Sequence, residues 1–538
     1  MFRLRSLPLT ACFIAMAAGV AYAQIVVDKG QPGRLDEPSA SKDPTLRPRL
    51  PPSVATTTIA PNQATGVAIT GVRLERSSLP RDVAEAVMRP FIGKLVTTET
   101  LQGLADGYSK AYARSDIALY TILVPEQSFV DGQVRIVAIE NYIDEVILAG
   151  DNPASASLTR AYASEMAEQR PLTRPVLRRY LSLMDDVPGA TTTPRIVAGD
   201  RPDTVKLVLD TKRDPIETVL SLDTRGAARL GRTQLTGDVY FNGFGYEGNQ
   251  TRLTAAASGD FNRFLSATLS HAATFGPSGL TASASIGYFR TRPDDTPIEG
   301  KGYTGSLQAS YPIVRSLTTN ITAAGGLDGF NSDNALVGQI LSSDRTRTLR
   351  GALSIESTRG QTAWGASVSI SQGLDTLGAR VANPAVSSES FTKANVQIAA
   401  TRVLGSSWRV QGSLSTQLSD DRLPTSELMT LGGARYGRAF DSGVASADMG
   451  VAGVVELTRK FDDKPIGKGV EAYAFLDGGK LWFTDRPGLT LEDTYLSSAG
   501  GGVRVGISDA VIGLEAARQV AGRDGDGWRM SASLGKNF

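Results

Sequence analysis

The sequence predicts a transmembrane β-barrel of about 16 antiparallel strands, preceded by two small α+β domains. Three observations predict this fold class. From about residue 216 to the end, apolar residues alternate with small polar ones along segments of strand length. Between about 64 and 212, short strand patterns alternate with amphipathic helix patterns. After Gln24, the chain has no uninterrupted apolar run long enough to form a transmembrane helix.

Composition excludes several classes of protein. The chain has 538 residues and a formal net charge of +1, so it lacks the basic surplus of a general nucleic-acid binder, and we expect no nucleic-acid partner. It contains one histidine, His271, and one cysteine, Cys12. These two residues alone cannot build a Cys/His zinc site, and no disulfide can form within the chain. We therefore expect no bound metal and no cofactor.

The N-terminus predicts export. Residues 1–23 are predicted to be a signal peptide, because two arginines precede an apolar stretch and Ala21-Tyr22-Ala23 forms a small-x-small cleavage site. Cys12 leaves lipidation open as an alternative, since Leu9-Thr10-Ala11-Cys12 resembles a lipobox. Residues 24–62 hold seven prolines and predict an extended linker.

Two domains, at 63–140 and 141–213, are each predicted to fold as β-α-α-β-β. In the first, Leu101, Leu104 and Tyr108 lie on one face of a helix that begins near Thr97. Its other predicted elements are strands at 67–74, 117–123 and 134–139 and a helix after Pro80. The second domain is predicted to contain strands at 142–148, 194–198 and 204–210 and helices at 156–168 and 174–186.

Residues 214–538 are predicted to form the barrel. Leu280, Ile286 and Tyr288 share one strand face, and the opposite face carries threonine, serine and glycine. Polar faces of such small residues fit a hydrated lumen inside and lipid outside better than the packed core of a soluble β-protein, which is the alternative. About 320 residues at about 20 per strand and connection give the estimate of 16 strands.

Two short motifs point to a family. The first is Leu431-Gly432-Gly433-Ala434-Arg435-Tyr436-Gly437-Arg438-Ala439-Phe440, in a long connection between predicted strands. The second is Phe475-Leu476-Asp477-Gly478-Gly479, within a predicted strand. Together they resemble the signature of two-partner secretion transporters, the haemolysin secretion/activation family, whose superfamily also contains the barrel-assembly insertases.

The resemblance implies roles for particular residues. In the family, an arginine at the tip of an extracellular loop that folds back into the lumen pairs with the aspartate of the strand motif. Arg438 and Asp477 take these two positions, with Gly437 and Phe440 in the loop motif and Phe475 and Gly479 in the strand motif. Gly437 stands where valine is common. Ala439 stands where glycine is common, so a left-handed backbone at that position would cost about 1 kcal/mol or more.

The residues support this pairing independently of the family. Asp477 shares its strand face with Phe475 and Gly479, opposite the apolar Leu476, so its carboxylate should face the lumen. The guanidinium of Arg438 is expected to engage it bidentately. Glu456 also lies on a lumen-facing position and is expected to accept from the same loop. An ordinary solvated loop arginine is the alternative for Arg438.

The resemblance also implies a function and a location. The two small domains resemble polypeptide-transport-associated (POTRA) domains, which places them in the periplasm and the barrel in the bacterial outer membrane. The implied function is a pore, not an enzyme, that exports an unfolded client to the cell surface. The client is expected to be a secreted β-helical exoprotein, and the other partners are outer-membrane lipid and the barrel-assembly machinery, which would read the terminal aromatic Phe538.

Client docking is expected on the first small domain. An exposed strand edge beside a helix can accept an added strand, which is β-augmentation. The candidate is the strand at 117–123 with its neighbouring helix, and an equivalent edge lies near 194–198. The candidate residues are Leu101, Leu104, Tyr108, Leu119 and Ile122, and core packing is the alternative role for each.

Other functions stay open on the sequence alone. An insertase of the same superfamily is the alternative to an export pore, although two small domains rather than many argue against it. A passive porin would lack the paired domains and both motifs. A barrel enzyme would need a catalytic base, and His271 is expected at the membrane interface instead. Asp524-Gly525-Asp526-Gly527 predicts a hairpin turn rather than a calcium site.

Overall fold

The protein was analysed as a computed structural model. The structure describes residues 35, 55–60, 66–129, 131–336, 339–461, 469–486, 488, 491–522 and 527–538. The predicted signal peptide, most of the predicted linker and the turn at 524–526 lie outside these residues. In the described part of the chain, no helix has both the length and the apolar character needed to cross a membrane.

The first small domain has a four-stranded sheet with two helices. Its strands are β1 (Ala55–Ile59), β2 (Gly71–Glu75), β3 (Tyr120–Val124) and β4 (Gln133–Glu140), in the order β1-β3-β4-β2. Its helices are α1 (Arg81–Met88) and α2 (Thr98–Arg114). α2 begins beside Thr97, as the sequence predicts, and a capping box between Thr97 and Thr100 starts it. β1 was not predicted, because residues 55–59 fall within the predicted linker. The structure places them in the sheet, although their threonine run lacks the alternation of apolar and polar residues that indicates a strand.

The second small domain repeats the plan with three strands. These are β5 (Tyr142–Gly150), β6 (Ala190–Ala198) and β7 (Thr204–Arg213), in the order β5-β7-β6, with helices α3 (Ser157–Ala167) and α4 (Arg174–Met184). Leu119 of the first domain packs into the second domain's core, and Arg174 donates to the carbonyl of Ser115. The two domains therefore share a packed interface.

The barrel closes as predicted. Among the described residues, sixteen antiparallel strands form a closed ring. The last strand pairs with the first, from Ser533 opposite Asp223 to Asn537 opposite Val219. The strands are β8 (Ile216–Asp223), β9 (Gln234–Asn242), β10 (Asn249–Ser258), β11 (Phe264–Phe275), β12 (Leu280–Thr291), β13 (Ile298–Arg315), β14 (Thr319–Leu336), β15 (Gln339–Arg359), β16 (Thr362–Gly373), β17 (Thr392–Leu404), β18 (Trp408–Leu418), β21 (Met449–Phe461), β22 (Gly469–Trp482), β23 (Thr494–Ile507), β24 (Ala510–Ala521) and β25 (Trp528–Asn537). Two short strands, β19 (Met429–Leu431) and β20 (Ala445–Ala447), are not part of the ring. They pair as a hairpin within the connection between β18 and β21.

The two strand faces differ as the alternation predicts. Ile286, Leu307 and Leu514 are each more than 60% exposed on the outer face. Thr268, Ser369 and Gln397 are buried on the inner face. An apolar exterior around a polar interior is the arrangement that lipid requires of a barrel.

Strand length is uneven around the ring. β13 and β14 have 18 residues each and β15 has 21, whereas the other barrel strands have 8 to 14. A strand needs only about 9–11 residues to cross the hydrocarbon core. These three strands therefore extend well beyond it. Their extra length lies at the end away from the small domains, because Arg315 at the other end contacts Asp186 of the second domain.

A buried carboxylate joins the second domain to the barrel. Glu247, in the turn between β9 and β10, accepts hydrogen bonds from the backbone N–H groups of Leu158 (2.7 Å) and Thr159 (2.9 Å) in the first turn of α3. It also accepts from the Thr159 hydroxyl and from the Arg213 guanidinium. A barrel residue thus caps a helix of the neighbouring domain.

Replacing this carboxylate should loosen α3. In Glu247→Ala, the amides of Leu158 and Thr159 should exchange hydrogen on the order of tenfold faster, because a buried donor without a partner costs about 1–3 kcal/mol. Hydrogen-exchange mass spectrometry of α3 measures this. Glu299→Ala is the control, since the ion pair of Glu299 with Arg292 is largely exposed. Equal exchange in both variants would contradict the capping role.

Candidate functional site in the barrel lumen

A long connection folds back into the barrel. Residues 419–448 join β18 to β21, and the hairpin of β19 and β20 lies against β22. Near the tip, Tyr436, Ala439 and Phe440 are buried in a cluster with Phe475 of β22. We call residues 419–448 the lumen loop. Both sequence motifs therefore meet inside the barrel.

The tip of the lumen loop is a tight turn. Gly437 adopts φ +79°, and its carbonyl accepts from the Phe440 N–H at 2.9 Å. Ala439 does not adopt a left-handed backbone. The position that needs glycine is therefore Gly437, and the alanine at 439 carries no backbone penalty here.

Asp477 holds the backbone of this turn. Its two carboxylate oxygens accept from the N–H groups of Gly437 (3.0 Å) and Arg438 (3.2 Å). The hydroxyl of Ser498 on β23 donates to the same carboxylate. Asp477 is 3% exposed and faces the lumen, as its strand position predicts. Because all its acceptors are engaged at one point of the wall, it fixes the position of the tip.

The Arg438 guanidinium does not engage Asp477 bidentately, so that expectation was wrong. Its Nη1 lies 3.0 Å from Glu456 Oε2 and 3.2 Å from Glu515 Oε2, whereas its Nε lies 3.6 Å from Asp477 Oδ2. Its Cζ lies 4.2 Å from the centre of the Phe475 ring. The aspartate is occupied by backbone donors, so the side chain reaches two other strands instead. The contact with Glu456 agrees with the sequence expectation.

Three more side chains complete the network, and the motifs did not indicate them. Arg504 donates to both carboxylate oxygens of Glu456, at 2.7 and 3.2 Å. Tyr473 donates to Glu515 at 2.9 Å. Glu515, Arg504 and Tyr473 each face the lumen from an otherwise alternating strand. The charge of Glu515 and Arg504 on a lumen-facing position was the only sign in the sequence that they belong to the network. Their partners could not be identified without the register of the strands around the barrel.

Close packing explains the remaining motif residues. A Cβ on Gly479 would lie 2.6 Å from the carbonyl oxygen of Val451, so only glycine fits there. A Cβ on Gly500 would lie 2.8 Å from Cζ of Phe475, so the ring of Phe475 occupies the space that this glycine leaves open. The carbonyl of Phe440 accepts from Arg529 of the last strand. We call Gly437, Arg438, Phe440, Glu456, Phe475, Asp477, Gly479 and Glu515 the lumen latch.

A second group of charges holds the base of the lumen loop. Glu427 accepts from Arg350 Nη2 at 2.7 and 2.9 Å, and Lys393 Nζ lies 2.8 Å from its Oε2. Arg350 also donates to Asp328 at 2.5 Å. Arg350, Lys393 and Glu427 are only 1–3% exposed. We call these four residues the base clamp: Glu427 lies in the lumen loop, and its three partners lie on β14, β15 and β17, away from the latch strands.

The loop tip forms one boundary of a cavity. A cavity of about 810 Å³ extends from Asp186 and Arg315, beside the second domain, to Arg438 and Glu456 at the latch. Gln397 and Gln411 line its walls. A vestibule of mixed polar and apolar lining thus extends from the small domains to the lumen loop.

The predicted client-binding side chains do not form a surface. Leu101, Leu104, Tyr108, Leu119 and Ile122 are each at most 2% exposed, and all lie in the cores of the two small domains. Burial raises the pKa of Tyr108 to about 12. Direct contact of these side chains with a client is therefore contradicted, because the domains bury them on folding.

Two other predicted positions lie at the barrel surface. His271 faces outward on β11, with its Nδ1 2.9 Å from the Thr251 hydroxyl. Phe538 is 63% exposed, and its N–H donates to Thr218 at the end of the barrel near the small domains.

The architecture defines a class, an outer-membrane β-barrel with N-terminal POTRA domains in the periplasm. Residues 204–505 match the family described as haemolysin secretion/activation protein ShlB/FhaC/HecB, and residues 67–141 match the ShlB-type POTRA domain. The first match covers more than half of the chain. The protein therefore belongs to the haemolysin secretion/activation family.

Individual relatives are distant. The chain is 20% identical over 394 residues to the heme/hemopexin transporter protein HuxB of Haemophilus influenzae, covering 68% of this chain and 66% of HuxB, just under two thirds of its length. It is 23% identical over 414 residues to the outer membrane transporter CdiB of Dickeya dadantii, covering 74% and 73%. The solved structure of CdiB from Escherichia coli superposes over the whole of both chains with a TM-score of 0.72 at 18% identity.

Proposed function

We propose that the protein exports an unfolded secreted protein from the periplasm to the cell surface through its barrel. The observation that carries this proposal is the vestibule that ends at the lumen loop. The loop occupies the lumen as a separate segment held by side-chain contacts, so it can move without breaking the barrel wall. A protein-conducting pore needs such a removable obstruction, whereas a passive porin does not.

The lumen latch is proposed to keep the loop in the closed position. Arg438 reaches Glu456, Glu515 and the edge of Asp477 while lying against Phe475. One cation shared among three strands couples the tip to a wide arc of the wall. We infer that opening exchanges these contacts for water or client groups, which must then satisfy the charges that the closed latch buries.

Family membership supports export over insertion of other barrels. The proposed partner is a secreted protein that reaches the periplasm unfolded, and a β-helical exoprotein fits this description. Outer-membrane lipid contacts the apolar exterior. Phe538 is proposed to be read by the barrel-assembly machinery before the barrel closes. We assign no catalytic role to His271, since it faces outward and contacts only a threonine among the described side chains.

Deletion of the gene in the host tests this proposal. Culture medium from cells with and without the intact gene is compared by mass spectrometry. We expect at least one large secreted protein to fall more than tenfold in the medium and to return on complementation. An unchanged set of secreted proteins would overturn the export function.

A further inference from the structure

The outside of the barrel carries a cluster of basic side chains on its long strands. On β12, β13 and β15, Ile286, Leu307 and Leu349 mark the lipid-facing positions, since each is more than 50% exposed. Residues an even number of positions away share that outer face. In the direction away from the small domains, the basic residues at such positions are Arg290, Lys301, Arg345 and Arg347.

A fifth basic residue joins this face from a neighbouring connection. Arg380, between β16 and β17, forms an isolated antiparallel bridge with Arg345, with N–H to carbonyl distances of 2.8 and 2.9 Å. Bridged residues share a sheet face, so the Arg380 side chain also lies outside the barrel. We call Arg290, Lys301, Arg345, Arg347 and Arg380 the outer basic patch.

Two tyrosines place the patch at the level of the lipid headgroups. Tyr288 and Tyr303 are cross-strand partners on the outer face, with ring centres 5.4 Å apart. Tyr311 faces outward at the other end of β13, and the strand between Tyr303 and Tyr311 covers about 20 Å of membrane depth at a tilt of about 40°. Aromatic residues flank the apolar band of a barrel in this way. Because the small domains are periplasmic, the patch beside Tyr303 lies in the outer leaflet.

Three of the five charges have no partner of opposite charge within the protein. The ion pairs formed by the described side chains do not include Arg290, Lys301 or Arg345. The Nε atoms of Arg290 and Arg345 also lack a hydrogen-bond partner among these residues. The nearby carboxylate of Glu299 is engaged by Arg292 at 2.9 Å. These three cations are therefore available to an external anion.

The other two cations are held by neutral groups. Arg347 donates to the side-chain oxygen of Asn331 at 2.9 Å, and Arg380 donates to the hydroxyl of Ser343 at 2.6 Å. These contacts fix the direction of both guanidinium groups without neutralising them. Asp333 of β14 lies on the same face and accepts from Ser343. One carboxylate does not balance five cations, so the patch keeps a net positive charge.

We propose that the outer basic patch binds the phosphorylated headgroup of lipopolysaccharide in the outer leaflet. Lipid A, the membrane-embedded part of lipopolysaccharide, is an acylated disaccharide that carries phosphate groups. Guanidinium groups match phosphate oxygens bidentately, and clusters of basic residues at a membrane surface recognise anionic lipid. Tyr288 and Tyr303 would lie against the sugars and the first acyl carbons. The patch adjoins the lipid-facing apolar band, which favours a lipid over a soluble anion. This proposal goes beyond export and requires only a barrel in the outer membrane.

Removal of the unpaired charges tests the site. Full-length protein is refolded in detergent, so that no host lipid competes, and is titrated with diphosphoryl lipid A while native mass spectrometry measures the bound fraction. A basic residue at a membrane surface strengthens binding to anionic lipid about fivefold. The triple variant Arg290→Gln, Lys301→Gln, Arg345→Gln should therefore bind lipid A on the order of 100-fold more weakly than the wild type.

A second triple variant is the matched control. Arg359→Gln, Arg402→Gln, Lys536→Gln also removes two arginines and one lysine from exposed positions on the outer face, but at the end of the barrel near the small domains. It should bind lipid A as the wild type does. Monophosphoryl lipid A should bind the wild type at least about fivefold more weakly than diphosphoryl lipid A. Heat-modifiable migration in electrophoresis confirms that each variant has folded.

Three results would overturn the glycolipid site. The first is equal affinity of the two triple variants for lipid A. The second is equal affinity of the wild type for lipid A and for phosphatidylglycerol, which would show a general attraction to anionic lipid. The third is displacement of lipid A by millimolar inorganic phosphate, which would show a simple anion site. None of these measurements involves secretion, so the gene-deletion test of export succeeds or fails independently.

Discussion

Asp477→Ala is expected to reduce export more than tenfold while the barrel still folds. The substitution removes the acceptor of two backbone N–H groups, at Gly437 and Arg438, and of the Ser498 hydroxyl. Each buried donor without a partner costs about 1–3 kcal/mol, so the tip loses its fixed position on the wall. The amount of secreted client in the medium measures the effect, and heat-modifiable migration in electrophoresis reports the folded barrel.

Two further variants assign the effect to the correct group. Asp477→Asn keeps one acceptor oxygen and should retain an intermediate level of export. Asp493→Ala removes a carboxylate whose ion pair with Lys480 is about half exposed, and should leave export unchanged. Wild-type export by Asp477→Ala, with the barrel folded, would exclude the latch role.

Glu427→Ala is expected to open the pore. Arg350 would keep Asp328, but the carboxylate that it shares with Lys393 would be lost, and breaking a buried ion pair costs about 3–5 kcal/mol. The base of the lumen loop should leave the wall, since the variant lacks the carboxylate that holds it to β15 and β17. Planar-bilayer recordings should then show larger and more frequent conductance steps than the wild type.

A matched variant tests whether the clamp itself is responsible. Asp420→Ala removes an exposed acidic residue from the same lumen loop and should keep the wild-type conductance. Glu427→Gln retains the shape of the side chain and loses its charge, so its conductance should lie between those of Glu427→Ala and Asp420→Ala. If Glu427→Ala inserts normally and conducts as the wild type does, the base clamp does not hold the pore closed.

The sequence predicted the barrel because each strand obeys one local rule. Alternation along a strand decides which face meets lipid, so the lumen-facing position of Asp477 followed from its neighbours alone. The ion-pair partners of the lumen-facing residues did not follow from this alternation. Arg438 meets Glu515 through the register of the strands around the ring, and 77 residues separate the two in sequence. No local pattern contains that register.

In the small domains, the sequence predicted helix faces correctly but not what those faces contact. Leu101 and Tyr108 form an apolar helix face that fits either a core or a groove, and the structure places them in the core. β1 escaped prediction because strand pairing with β3 depends on backbone groups, which every residue carries, rather than on the side chains of Ala55–Ile59. A threonine run is compatible with a strand but does not specify one.

The three long strands give the exit of the barrel a direction. β13, β14 and β15 exceed the length needed to cross the bilayer by about 7–12 residues, which is about 23–40 Å of strand at about 3.3 Å per residue. They stand next to one another in the ring, so the rim rises on one side only. Under the proposed export function, a polypeptide that leaves the pore would pass beside this raised side of the rim, where strand backbone and side chains replace open solvent on one flank.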